Sequence, residues 1–226
     1  MDLDIRIRSK LVNRILDDLR GAAPGSRAFL RGSLATERAD EYSDIDILWE
    51  VPDSEFHVCV DNLAEILSRI GVVESLRSDP ALQRSGKHRL FFARFEDMPL
   101  FWRADIEIFA ESVQRDANYD LDNPEVRGSV WSLAESALSN AILALKSYLR
   151  DRPEQMASAI QRAYDRLGLE LPEAPLCNQV QQLADAAQSM DPQVGRLAQR
   201  VKQLTLDVGT LPCSDTHASN RSQPTP

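Results

Sequence analysis

The chain has 226 residues, 43% of them hydrophobic and 27% charged, an ordinary globular balance that excludes wholesale disorder and a fibrous repeat. At roughly 150 residues per domain it predicts one large domain or two small ones. Its 26 basic and 35 acidic residues leave a net charge of -9, which leans away from nucleic acid and toward a cationic ligand. No uncharged apolar run approaches the roughly 18 residues of a membrane span: "AILAL" at 141–145 is soon cut by Lys146 and Arg150. The opening "MDLDIRIRSK" mixes acids and bases and reads as neither a secretory nor a transit segment, so a cytoplasmic location is expected. Cys59, Cys177 and Cys213 are widely separated and read as buried or incidental thiols.

Ile5, Val12, Ile15, Leu16 and Leu19 share one helical face and predict an amphipathic helix. "GAAPGS" ends it, and "RAFLRGS" reads as a short strand running into a turn at Gly32. "DIDILWEV" alternates acids with Ile45, Ile47, Trp49 and Val51, which predicts a strand with Asp44 and Asp46 on one face. A helix over 54–70 should follow, with Gly71 as its C-terminal cap. "HRLFFARF" and "LFWRADIEIFA", joined by "EDMP", predict a hairpin at 88–110. Beyond "ANYDLDNP", at 117–124, strand patterning gives way to helical periodicity over 126–150, 153–167, 176–189 and 191–207. The expected class is α+β: a small mixed sheet with flanking helices over 1–120, a helical bundle over 125–208, and a tail over 209–226 too polar to order itself.

The informative stretch is "LRGSLATERADEYSDIDILW". Carboxylates at i and i+2 on a strand project from one face roughly 7 Å apart, so Asp44 and Asp46 can share a hard divalent cation such as Mg²⁺. Gly32 permits close backbone approach to a phosphate, and the Ser33 hydroxyl and helix-start amides are donors to it. A third acid on a neighbouring strand would complete the set; Asp105 is preferred over Glu107 because it is flanked by small and apolar residues. Such a site stabilises attacking and leaving oxygens in a displacement at phosphorus.

At Gly32, Ser33, Asp44, Ile45, Asp46 and Ile47 the sequence resembles the nucleotidyltransferase superfamily of DNA polymerase beta, whose motif is apolar-Gly-Gly/Ser, a spacer, then Asp-apolar-Asp/Glu-apolar. The resemblance rests on residues 28–51, with 100–109 as a looser second contributor. Size and layout are similar to the antibiotic-modifying branch, which adenylylates aminoglycosides or lincosamides, and to the minimal nucleotidyltransferases. It implies that Asp44, Asp46 and Asp105 bind Mg²⁺, that Asp105 or Glu107 completes the site or serves as general base, and that Gly32 and Ser33 hold the triphosphate. ATP or another nucleoside triphosphate is the implied co-substrate, and a small acceptor, a polycation among them, the partner. Lys146 and Arg150, one turn apart, are candidates to reach the triphosphate, although helix solubility is the commoner role of such a pair. Glu37, Asp40 and Glu41 read as solvated loop acids, Trp102 and Trp131 as core, and the three histidines as too scattered for zinc. A protein or tRNA target, or an inactive nucleotide-binding module, are the alternatives.

Overall fold

The computed structural model describes residues 3–113, 116 and 118–209. Helix α1 (Ile5–Ala22) starts at Asp4, whose side chain accepts the Arg6 amide as an N-cap; it buries Val12, Ile15, Leu16 and Leu19 of the expected stripe together with Leu11 and Arg8, while Ile5, in its first turn, is 55% exposed. Strand β1 (Arg27–Leu30) leads into a single helical turn, α2 (Gly32–Ala35), and a loop; β2 (Ile45–Val51), α3 (Phe56–Ser68), β3 (Val73–Ser78), β4 (His88–Phe95) and β5 (Ala104–Ala110) complete the first part. The sheet order is β1-β2-β5-β4-β3. Among the described residues β2 and β5 pair in parallel and the other neighbours are antiparallel. Period-two alternation sends Ile45, Ile47, Trp49, Ile106 and Ile108 into the core, each at most 1% exposed, against α1 and α3. The same alternation turns Asp46, Asp105 and Glu107 to the opposite, partly open face. The acids are thus held rigidly by the burial of their neighbours.

Helices α4 (Leu133–Leu149), α5 (Pro153–Leu167), α6 (Leu176–Met190) and α7 (Gly195–Gly209) pack on one another. Helix α7 is tied back to the sheet: Arg200 pairs with Glu74 of β3 at 2.5 Å, and Arg196 with Glu96 at 2.6 Å. The architecture is the expected α+β one.

Several boundaries differ from the sequence expectation. Strand β3 escaped it because "VESLRS" is half-buried at every position and shows no alternation. The long helix begins at Leu133, not 126: Ser132 caps it by accepting the Glu135 amide at 3.1 Å, and Val130 lies outside it, 79% exposed. Gly71 is not a left-handed cap, since α3 already ends at Ser68 with Arg69 in the right-handed region. The segment at 191–207 divides into a 3-10 turn, Pro192–Val194, and α7. The hairpin forms, but its connection spans 96–103 and buries Leu100, Phe101 and Trp102. Apart from Gly209, which ends α7, the tail expected at 209–226 lies outside the described residues, as do Cys213 and His217. Among the described residues no helix is long and apolar enough to cross a membrane.

Candidate active site

The parallel ladder between β2 and β5 sets Asp46 directly beside Asp105 and Leu48 beside Glu107. Asp44 precedes β2 by one residue and lies on the Asp46 side of the alternation. On the other flank β1 extends its ladder, the Arg31 amide donating to the Asp46 carbonyl at 2.8 Å, and the chain then turns at Gly32 with φ +60. A Cβ at Gly32 would lie 2.1 Å from Oδ2 of Asp46. The glycine is therefore required for two reasons, its left-handed backbone and the carboxylate against it. Ser33 follows in α2, whose start has no side-chain cap. Arg31, Gly32, Asp46, Asp105 and Glu107 line one cavity of about 340 Å³.

Cations hold most of these acids. Arg103 grips Asp105 with two hydrogen bonds, Nε to Oδ1 and Nη2 to Oδ2, both 2.6 Å. Lys146 is 3% exposed and donates to Asp44 Oδ1 at 2.7 Å, so it is no solvated helix residue; α4 delivers it into the site. Glu107 accepts from Arg31 and meets the His88 Nε2 at 2.9 Å, while His88 Nδ1 faces the Tyr119 carbonyl at 3.0 Å. Asp40 is likewise not a free loop acid: Arg150 donates to it at 2.5 and 2.7 Å, and Arg8 donates to its carbonyl at 2.6 Å. Trp102 is core as expected, and its Nε1 donates to the Glu41 carbonyl at 2.7 Å. The loop before β2 is thereby pinned by α1, α4 and the β4–β5 connection at once.

Asp46 has no ion-pair partner among the described residues. Burial pushes its carboxyl above the usual range, and the charges of Asp105 and Asp44 push it further. Burial also raises Asp105, against the pull of Arg103, and lowers Lys146 against the pull of Asp44. These acids crowd like charge at one spot, the arrangement that a bound cation relieves. Among the described residues no three His, Cys, Asp or Glu side chains converge closely enough to grip a metal; Asp44 and Asp105 are engaged by Lys146 and Arg103. In kind the donors fit: all are hard carboxylate oxygens, and Gly32 leaves Asp46 an unshielded face.

A family model for the nucleotidyltransferase domain matches residues 10–97. Over those residues the chain is similar to nucleotidyltransferase domains. That match runs from α1 to β4 and takes in Gly32, Ser33, Asp44 and Asp46, whereas Asp105, Glu107 and Lys146 lie beyond it and owe their place to register and packing alone. Searching the curated proteins yields no match. A crystal structure of an aminoglycoside 6-adenyltransferase from Bacillus subtilis is similar over 88% of this chain and 97% of that one, at 10% identity and a TM-score of 0.32, values too low to say anything of the acceptor here. Sequence reasoning assigned Arg31 and His88 no place in the site, and it offered Arg103 as nothing more than a surface partner of Asp105. Arg103 was visible two residues before Asp105, on the same face of the alternation.

Proposed function

We propose that the protein transfers a nucleoside monophosphate, AMP from ATP, to a hydroxyl of a small acceptor and releases pyrophosphate. The observation that carries the reading is the Asp46–Asp105 pairing across parallel strands with Gly32 packed against Asp46. Asp44, Asp46 and Asp105 would hold Mg²⁺, which when bound supplies charge neutralisation for the phosphates. Gly32 and Ser33 give the phosphates backbone and hydroxyl donors, and Arg31, oriented by Glu107, adds a cation to the same cavity. The acceptor oxygen forms a bond to the α-phosphorus as the bond to the pyrophosphate oxygen breaks. The hydroxyl proton passes to Asp105 or Glu107, whichever of the two does not complete the metal site. Lys146 orients Asp44. The antibiotic-modifying branch, with aminoglycosides or lincosamides as acceptors, is the starting panel that size and two-part layout suggest.

The test is Mg²⁺-dependent pyrophosphate release from ATP with an acceptor panel. Asp44→Asn and Asp46→Asn should each lower release by about 10²-fold or more, as loss of a transition-state electrostatic contact does. Wild-type turnover in either variant would remove the metal-holding assignment; Mg²⁺-ATP binding without release from any acceptor would mark an inactive module.

A further inference from the structure

Asp44 also lines a second cavity, about 290 Å³, between β3, β4, the β4–β5 connection and α4. This cavity shares no lining residue with the one beside Gly32. Arg77, Arg94, Arg103 and Lys146 all line it. Three of the four have a carboxylate at hand: Glu135 lies 2.8 Å from Arg77, Asp105 2.6 Å from Arg103 and Asp44 2.7 Å from Lys146. Arg94 has none among the described residues. It is 4% exposed; Nη1 donates to the Leu100 carbonyl at 2.6 Å, Nη2 lies 3.5 Å from the Ser139 hydroxyl, and Nε has no partner.

Arg77 repeats the pattern. Its Nη1 is buried without a partner, and although Nε lies 2.8 Å from Glu135 Oε1, neither atom completes a hydrogen bond. Burial, with Arg103 and Arg77 nearby, holds the Arg94 guanidinium down to about 10 against the longer-range pull of Asp44 and Glu135. A buried cation with no carboxylate in contact is costly, and native buried donors are rarely left unmade without reason. The apolar walls are flat: the Arg77 guanidinium lies 4.6 Å from the Trp131 ring centre, and that of Arg103 4.6 Å from the Phe92 centre.

We propose that this cavity seats the acceptor, and that the acceptor carries an anionic group, a phosphate or carboxylate, held by Arg94 and Arg77. The inference rests on the nucleotidyl-transfer reading. In-line displacement places attacking and leaving oxygens on opposite sides of phosphorus and so needs two separate seats; Asp46 and Asp105 line the Gly32 cavity and Asp44 the Arg94 cavity, which gives the phosphates the first and the acceptor the second. A polycationic acceptor, which the overall charge of -9 would draw in, meets four cations here. Local charge overrides the net value at contact range, where screening by solvent is weakest.

Nucleotide phosphates could supply the same chemistry, so the test separates the two sources. Binding of inorganic phosphate, of a sugar and of its phosphate ester is measured by calorimetry without nucleotide and at constant ionic strength, and Mg²⁺-ATP is titrated separately. The wild type should bind phosphate and the ester saturably, and the sugar at least tenfold more weakly. Arg94→Met should lose at least tenfold in phosphate affinity. Ser139→Asp, which places a carboxylate of the chain's own beside Arg94, should do the same and raise the melting temperature. Mg²⁺-ATP affinity should stay within twofold in both. Absence of saturable phosphate binding to the wild type, or equal binding in both variants, overturns the site. A tenfold loss of Mg²⁺-ATP affinity in both gives the cavity to the nucleotide and overturns the acceptor assignment. Phosphate binding as expected with no pyrophosphate release from any acceptor defeats the transfer reading instead, and the acceptor role with it.

Discussion

At Gly32 the backbone is left-handed and the Asp46 carboxylate occupies the space a Cβ would take, so Gly32→Ala must strain the turn and displace Asp46 together. The expected result is at least a hundredfold fall in pyrophosphate release and a stability loss of about 1–3 kcal/mol by denaturant titration; wild-type kinetics in that variant would show the contact to be dispensable. Asp46 makes the opposite demand on stability. Its carboxyl is raised in the folded state, so its ionised form opposes folding: the cost is absent below the ordinary carboxyl value, grows as pH rises through it, and is complete above the folded value. Asp46→Asn should therefore abolish transfer yet melt a few degrees higher than wild type near pH 7, at roughly 2–4 °C per kcal/mol, with the gap closing toward about pH 3. A lower melting point at pH 7 would refute this. Both residues were legible in the sequence because their chemistry depends on local spacing. Arg94 was not, since its burial and lack of a partner follow from which strands and helices meet.

The loop between α2 and β2 shows what a single element contributes. Thr36 to Ser43 looked like polar filler, but Arg8, Trp102 and Arg150 each bond to it from a different element, and it delivers Asp44 and Asp46. For Asp40 burial works to raise the carboxyl, and the Arg150 guanidinium with the Ser43 hydroxyl overrides it, holding it down to about 2. The resulting stabilisation is present above the unfolded carboxyl value and is lost as pH falls toward 2. Arg150→Ala should cost about 1 kcal/mol at neutral pH, since the pair is partly solvated, and nothing further once Asp40 is protonated; thermal melts at pH 7 and pH 2 measure the difference. An unchanged gap at pH 2 would assign the effect to packing. Strand β2 and helix α1 were readable because each buries one clean face. Strand β3 has no such face, and the start of α4 is decided by the Ser132 cap rather than by the apolar pattern extending back to Val130.

Across the whole molecule the sheet and the later helices are joined by polar ties, several of them buried. Glu74 is 5% exposed at its side chain and depends on Arg200, 2.5 Å away; burial raises its carboxyl against that arginine. Arg200→Ala leaves the acid nearly alone in the interior, at an expected cost of about 3 kcal/mol or more. We propose that the division near 117–124 separates roles and not stability, because one apolar cluster runs through both parts. Calorimetry of Arg200→Ala should then give one transition at lower temperature, and two resolved transitions would argue for independent units. The sequence displayed the change from strand to helix but not these ties, which join residues far apart along the chain. The three tryptophans are distributed unequally over this frame: Trp49 and Trp102 are sealed, at 0% and 1% exposure, while Trp131 stands in the wall of the Arg94 cavity with a guanidinium on its face. The chain thus carries one indole whose emission responds to what enters that cavity against two whose emission stays constant, an optical gauge of occupancy that needs no added label.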